Sequence, residues 1–187
     1  TGTTTISNGT LTYGGSNILS TGAVTINGGT LNIDSYTDTV GAVTLESGSI
    51  TGTGTLTGSS YAVKSGAIGA ILGGSSVGLT KSTGGTVTIS GENTYTGTTT
   101  ISAGTLALGA DNVLSDETEV SVTGIFDLAD NSDTINVLSG AGSVLLGSGT
   151  LSVGGNNGSG SFSGVIAESG GLTKLGSGTV TLSGENT

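Results

Sequence analysis

The residues of this chain that could do chemistry are almost all carboxylates. Its 187 residues hold thirteen Asp and Glu against three Lys and Arg, no His and no Cys, for a net charge of −10. The three cations are Lys64, Lys81 and Lys174. Without an imidazole or a thiol, Ser–His and Cys–His nucleophile systems cannot be assembled, and zinc loses its usual nitrogen and sulfur ligands. What remains is paired-carboxylate chemistry of the kind that cleaves glycosidic bonds, or oxygen ligation of calcium. The densest cluster is Asp127, Asp130 and Asp133, with Asn131 among them. Its spacing fits neither an EF-hand loop nor a Gly-rich calcium nonapeptide. It reads more simply as a solvated turn between strands at 125–128 and 135–138. The run Asp116-Glu117-Thr118-Glu119 lies in the most polar stretch, 110–119, which reads as a loop protruding from the fold; 153–162 reads as a second loop. No residue is assigned a catalytic, metal-binding or cofactor-binding role, no cofactor is expected, and any binding residue stays unknown at this level.

The same inventory bounds the partners. Nucleic acid and anionic membrane surfaces both demand clustered cations, which are missing. No apolar run reaches the length of a membrane-spanning helix. Without cysteine there are no disulfides, and a long stacked core does not need them.

What positions these side chains is a repeat. Residues 1–20, TGTTTISNGTLTYGGSNILS, return as TGTTTISAGTLALGADNVLS at 96–115, identical at fourteen positions. Residues 79–94, LTKSTGGTVTISGENT, return as LTKLGSGTVTLSGENT at 172–187, identical at twelve. Two units follow, 1–95 and 96–187, expected to form one continuous array. The chain has no Met and both starts and stops inside the repeat, so the expectation is a piece of a longer array.

A shorter beat runs inside each unit. TTTISNGTL at 3–11, AVTINGGTL at 23–31 and AVTLESGSI at 42–50 share one phrase, and Ile6, Ile26 and Leu45 occupy one equivalent position. A recurrence of about 20 residues carried by strand-like phrases is one coil of a β-solenoid, in which equivalent apolar residues stack at about 4.8 Å. In residues 85–90, GTVTIS, Val87 and Ile89 point one way while Thr86 and Thr88 point the other. Leu, Ile, Val and Phe make up about a quarter of the chain, above the range of disordered sequences. Glycine numbers 38 and proline is absent, as successive hydrogen-bonded coils require. The glycine pairs Gly28-Gly29, Gly84-Gly85, Gly154-Gly155 and Gly170-Gly171 read as corners needing positive φ or close approach. The fold class is all-β: a parallel β-solenoid with about 20 residues per coil and about nine coils.

Three smaller features have structural readings. The twice-seen GENT, at 91–94 and 184–187, reads as a turn whose asparagine adopts a strained conformation and bonds neighbouring backbone. Tyr95, directly after the first copy, would have to be exposed to stack on a sugar. The runs at Thr3–Thr5 and Thr98–Thr100 suggest a flat threonine array of the kind that matches ice, but Val24 and Val43 stand where a continuous rank would need threonine.

Residues 79–106, LTKSTGGTVTISGENTYTGTTTISAGTL, closely resemble the autotransporter passenger-associated β-strand repeat, whose pattern is LTKxGxGTLTLSGxNTYTGxTTIxxGTL. The matching positions include Leu79, Lys81, Gly85, Gly91, Asn93, Tyr95, Gly97, Ile101 and Leu106. A second copy opens at Leu172, and 1–11 look like the back half of a preceding one. The first copy departs from the pattern with Thr83, where the second has Gly176. The resemblance implies a right-handed parallel β-helix carried by type V secretion to the bacterial cell surface, extracellular, with a signal peptide and a membrane barrel elsewhere in the parent. It does not imply one activity: members of the family are mostly adhesins, self-associating surface proteins and stalks, so the expectation is a structural or adhesive rod rather than an enzyme, acting in adhesion, cell aggregation or surface-layer formation. Partners would be neighbouring repeats, other copies of the chain, or surface glycans. The alternatives are a polysaccharide-processing β-helix enzyme and a calcium- or ice-binding solenoid.

Overall fold

The computed structural model describes residues 2–187; Thr1, the first residue of the opening repeat, lies outside the described residues. Among the described residues there are twenty-three short strands and no helix. Every pairing between strands is parallel, and each joins segments about one coil apart. Thr4 pairs with Val24, Val24 with Val43, Val43 with Tyr61, Tyr61 with Leu79, Leu79 with Thr99 and Thr99 with Val120, steps of 18 to 21 residues. The chain is therefore a parallel β-solenoid of about nine turns. The pairing of Leu79 with Thr99 carries the ladder across position 95 without a break.

Each turn has three faces. The first carries Thr4–Ile6, Tyr61–Val63, Leu79–Lys81 and their stacked equivalents. The second carries Thr10–Thr12, Gly66–Ile68, Thr86–Ile89 and theirs. Val24–Asn32 and Val43–Thr51 run through both faces, which makes the two one sheet of seventeen strands. The third face is split. Asp38–Thr39, Thr55–Thr57 and Ile71–Gly73 form one sheet; Asp133–Ile135, Thr150–Val153 and Gly171–Lys174 form another.

Alternation along each strand puts one file of side chains inside and the next outside. Ile6, Ile26, Leu45 and Val63 form an inward file on the first face, and Leu31, Ile50, Ile68 and Ile89 one on the second, each nearly or wholly excluded from solvent. Burying such a side chain is worth about 1.5–3 kcal/mol, so the stacked files supply the main drive for coil to add to coil.

Of the two stretches expected to be loops, 110–119 is built into the wall instead of protruding, and 153–162 does hold an exposed turn at its centre. In 110–119, Val113, Leu114 and Thr118 are buried and Glu119 opens the strand Glu119–Val122, so the segment forms the third face of its turn. In 153–162 a short turn joins Thr150–Val153 to Gly160–Phe162. The apolar spacing of Val113 and Leu114 decides this over the surrounding polarity. Among the glycine corners, Gly28 and Gly154 do take positive φ and Gly170 lies 2.3 Å, measured from an ideal Cβ, from the carbonyl of Gly149. Gly84 departs from the expectation, with neither positive φ nor an atom within 4 Å.

Candidate functional site

The carboxylates do not converge. Asp127 Oδ1 accepts the N–H of Ala129 at 2.8 Å, and Asp130 Oδ1 accepts that of Ser148 at 2.8 Å in the next coil. Both serve the corner between the second and third faces, where Asp34, Glu92, Asp111 and Glu168 also lie. No cluster of three or more metal-ligating side chains is present among the described residues.

Asp133 breaks the solvated-turn reading. It is 2 % exposed and opens the strand Asp133–Ile135. Its Oδ2 accepts the N–H groups of Val113 at 3.1 Å and Leu114 at 3.0 Å, and its Oδ1 that of Thr134 at 2.8 Å. Burial pushes its carboxyl up to about 6, against the opposing pull of those three donors and with a smaller push from Asp116.

Asn93 does the same work two coils earlier. Its Oδ1 accepts the N–H of Leu72 at 2.8 Å and its Nδ2 donates to the carbonyl of Val113 at 3.1 Å. Asn93 and Asp133 thus bridge the coils that separate the two third-face sheets, where no strand ladder pairs the backbone. Two further carboxamide or carboxylate oxygens play the part elsewhere: Asp38 accepts from Leu19 at 2.9 Å and Asn186 from Ile166 at 2.9 Å. The expectation that the GENT amide bonds neighbouring backbone holds. The strained turn conformation does not, since φ at Asn93 and Asn186 is not positive.

Tyr95 is fully buried, with its hydroxyl 2.8 Å from Thr99 Oγ1 and its ring centroid 6.0 Å from that of Tyr61. Burial raises its pKa. It is a core residue and offers nothing to a sugar. Thr118 is also buried, donating to the Tyr95 carbonyl at 3.3 Å, whereas Asp116 and Glu117 are exposed.

Lys81 was expected only as a motif residue, and it is wholly buried on the first-face inward file beside Val63 and Ile101. Its Nζ donates to the carbonyls of Thr83 and, at 3.1 Å, Ala103, and burial lowers its pKa. Nothing in local sequence distinguishes this lysine from an outward one except its place in the alternation of LTK.

The threonine question changes with the register. Val24 and Val43 share the inward file with Thr4, so they interrupt no outward rank. The outward file is Thr5, Thr25, Thr44, Ala62, Thr80, Thr100, Ser121 and Ser139, with Ser161 and Thr181 on the same face above. It is a hydroxyl column interrupted once, by Ala62. The residues flanking it are less uniform: Glu46 and Lys64 form an ion pair at 2.6 Å beside it, and Glu119 stands at its edge. A lattice match needs at least two uniform files, and these charges spoil the second.

The family model for the Passenger-associated-transport-repeat matches residues 14–33, 79–108 and 172–187. These three stretches are passenger-associated transport repeats. The match at 14–33 takes in the whole of Val24–Asn32, rather than the resemblance seen at 1–11. No curated protein and no solved structure matches the chain. The matched repeats and the solenoid fold together support an autotransporter passenger segment.

Proposed function

We propose that this passenger segment acts as a stiff, surface-displayed rod whose first face makes weak, repeated contacts in adhesion or cell aggregation. The observation that carries the reading is the outward hydroxyl file from Thr5 to Thr181. It runs the length of the rod and contains no carboxylate, while acids gather at the opposite corner through Asp34, Glu92, Asp111, Asp130 and Glu168. A face of short hydroxyl side chains can exchange hydrogen bonds with a second such face or with a glycan at little entropic cost. Contacts repeated at about 4.8 Å along the rod add through effective concentration, so no deep pocket is required.

At a net charge of −10, two rods repel at low ionic strength. Lateral pairing through the neutral face should therefore strengthen as salt or divalent cation rises. The experiment displays the passenger on cells and follows sedimentation across a salt series, for the natural chain and for a variant carrying Thr25→Glu, Thr44→Glu and Thr100→Glu. Salt-promoted settling that the variant loses supports the reading. Settling that is indifferent to salt, or unchanged in the variant, removes it.

A further inference from the structure

The two LTK–GENT copies do not sit on the same faces. In the first, Leu79–Lys81 lies on the first face and Thr86–Ile89 on the second. In the second, Gly171–Lys174 pairs with Thr150–Val153 on the third face, and Val180–Leu182 pairs with Gly160–Phe162 on the first. Val87 and Val180 are equivalent in sequence, yet Val87 pairs with Gly66 and Leu106 on the second face while Val180 pairs with Gly160 on the first. The second copy is turned back by one face relative to the first.

We propose that this segment is a face-independent cassette, and that the two copies present the same outward signature a third of a turn apart. Its bonds travel with it. Lys81 Nζ donates to the carbonyl two residues on, at Thr83, and Lys174 Nζ donates to Gly176 at 3.2 Å, the equivalent acceptor. Asn93 accepts the N–H of Leu72 in the preceding coil, and Asn186 that of Ile166 in its own preceding coil. The cassette thus closes its first corner with its lysine and straps its second to the coil below with its asparagine. Every face asks only for alternate inward side chains, which Val87 and Ile89, or Val180 and Leu182, supply equally.

Coil length between the copies sets the phase. The openings of the two long units keep register, because Thr5 and Thr100 stand on one outward file. Beyond that two turns are longer, Thr99 to Val120 with a step of 21 and Gly140 to Phe162 with a step of 22, and the step of 18 from Val122 to Gly140 between them does not offset both. The extra residues lie in the polar stretches 109–118 and 154–159. The chain therefore reaches Leu172 while still on the third face. Thr88 and its counterpart Thr181 consequently point from different faces, so a partner that recognises the cassette would meet it from two directions. That last consequence rests on the adhesive reading; the seating of the cassettes does not.

The chain has no cysteine, so introduced pairs are its only thiols. Neighbouring coils lie about 4.8 Å apart, within the Cα range that a disulfide spans. Three double variants at outward positions decide the matter under mild oxidation, read by peptide mass mapping. Ala67→Cys with Thr88→Cys should cross-link, since those residues are paired on the second face. Ser161→Cys with Thr181→Cys should cross-link on the first face. Ala167→Cys with Thr181→Cys should not, although Ala167 stands on the file of Thr88 and would lie under Thr181 if the copies were in phase. A cross-link in the third pair, or failure of either of the first two, overturns the proposal. Loss of adhesion without a change in these cross-links would count against the adhesive rod and leave the cassette standing.

Discussion

Lys81 and Leu182 stand on one inward file, running Lys81, Ile101, Val122, Gly140, Phe162, Leu182. The sequence counterpart of Lys81 is Lys174, which lies on another face and is exposed. A lysine on an apolar file is tolerable because its stem packs like a methylene chain and its ammonium caps the Thr83 and Ala103 carbonyls. Methionine at 81 keeps the volume and leaves those carbonyls without their donor. Lys81→Met should lower stability by about 1–3 kcal/mol, seen as a fall in urea midpoint at constant slope. Lys174→Met should change it by less than about 0.5 kcal/mol.

Asn93 ties the coil below to the coil above with its side chain. Truncation in Asn93→Ala leaves the Leu72 N–H unpaired in the interior and removes one of the two donors to the Val113 carbonyl, which keeps the backbone N–H of residue 93 at 2.9 Å. The expected loss is about 1–3 kcal/mol, with accelerated hydrogen exchange at the Leu72 amide as the local signature. Protection of that amide unchanged in the variant would show that the strap carries no load there.

The ladder was legible in sequence because its signal is redundant. Ile6, Ile26 and Leu45 announce the same position three times, and the alternation in GTVTIS fixes which way each faces. The straps were not legible, because Asp133 and Asn93 carry the side chains of turn formers and only three-dimensional register shows that they lie over Val113 and Leu72. The misjudged threonine file has the same cause. Val24 aligns with Thr4 and Thr25 with Thr5, so an error of one residue exchanges the inward rank for the outward one. The seating of the second cassette was beyond sequence altogether, since two closely similar phrases occupy different faces through small differences in coil length between them.

Coil contact explains glycine more often than turn geometry does. At Gly149 an added Cβ would stand 1.8 Å from the Asn131 carbonyl, a backbone atom of the coil below. Gly149→Ala must spread two coils that share a ladder and should cost more than about 2 kcal/mol. Gly84→Ala meets open space at an ordinary φ and should be neutral, or stabilising by up to about 1 kcal/mol through the unfolded chain. Thermal melts of the pair would separate the two roles, and equal shifts would contradict the stacking geometry.

Asp133 makes stability depend on pH in the direction opposite to a salt-bridged carboxylate. Its folded pKa is about 6, above the model-peptide value of about 3.9 expected once unfolded. Above pH 6 the folded state holds a buried charge that the unfolded state holds in water, so the ionised form is disfavoured by folding. As pH falls through 6 the folded state takes up its proton first, and stability rises until the unfolded carboxyl also protonates near 4. Asparagine removes the charge and keeps one oxygen for the Val113 and Leu114 N–H groups, but gives up the acceptor of the Thr134 N–H. That lost bond is common to all pH values, so the stability of Asp133→Asn minus that of the natural chain should be larger at pH 7 than below pH 4 by about 1–3 kcal/mol, at about 1.4 kcal/mol per unit of pKa displacement. This pH-dependent lead should shrink between pH 6 and 4. Urea denaturation of both proteins at pH 7, 5.5 and 4 measures the difference directly, with the other carboxylates common to both. A lead that stays constant across the three values would mean that Asp133 does not titrate in this window and that its three donors, rather than its burial, govern its charge.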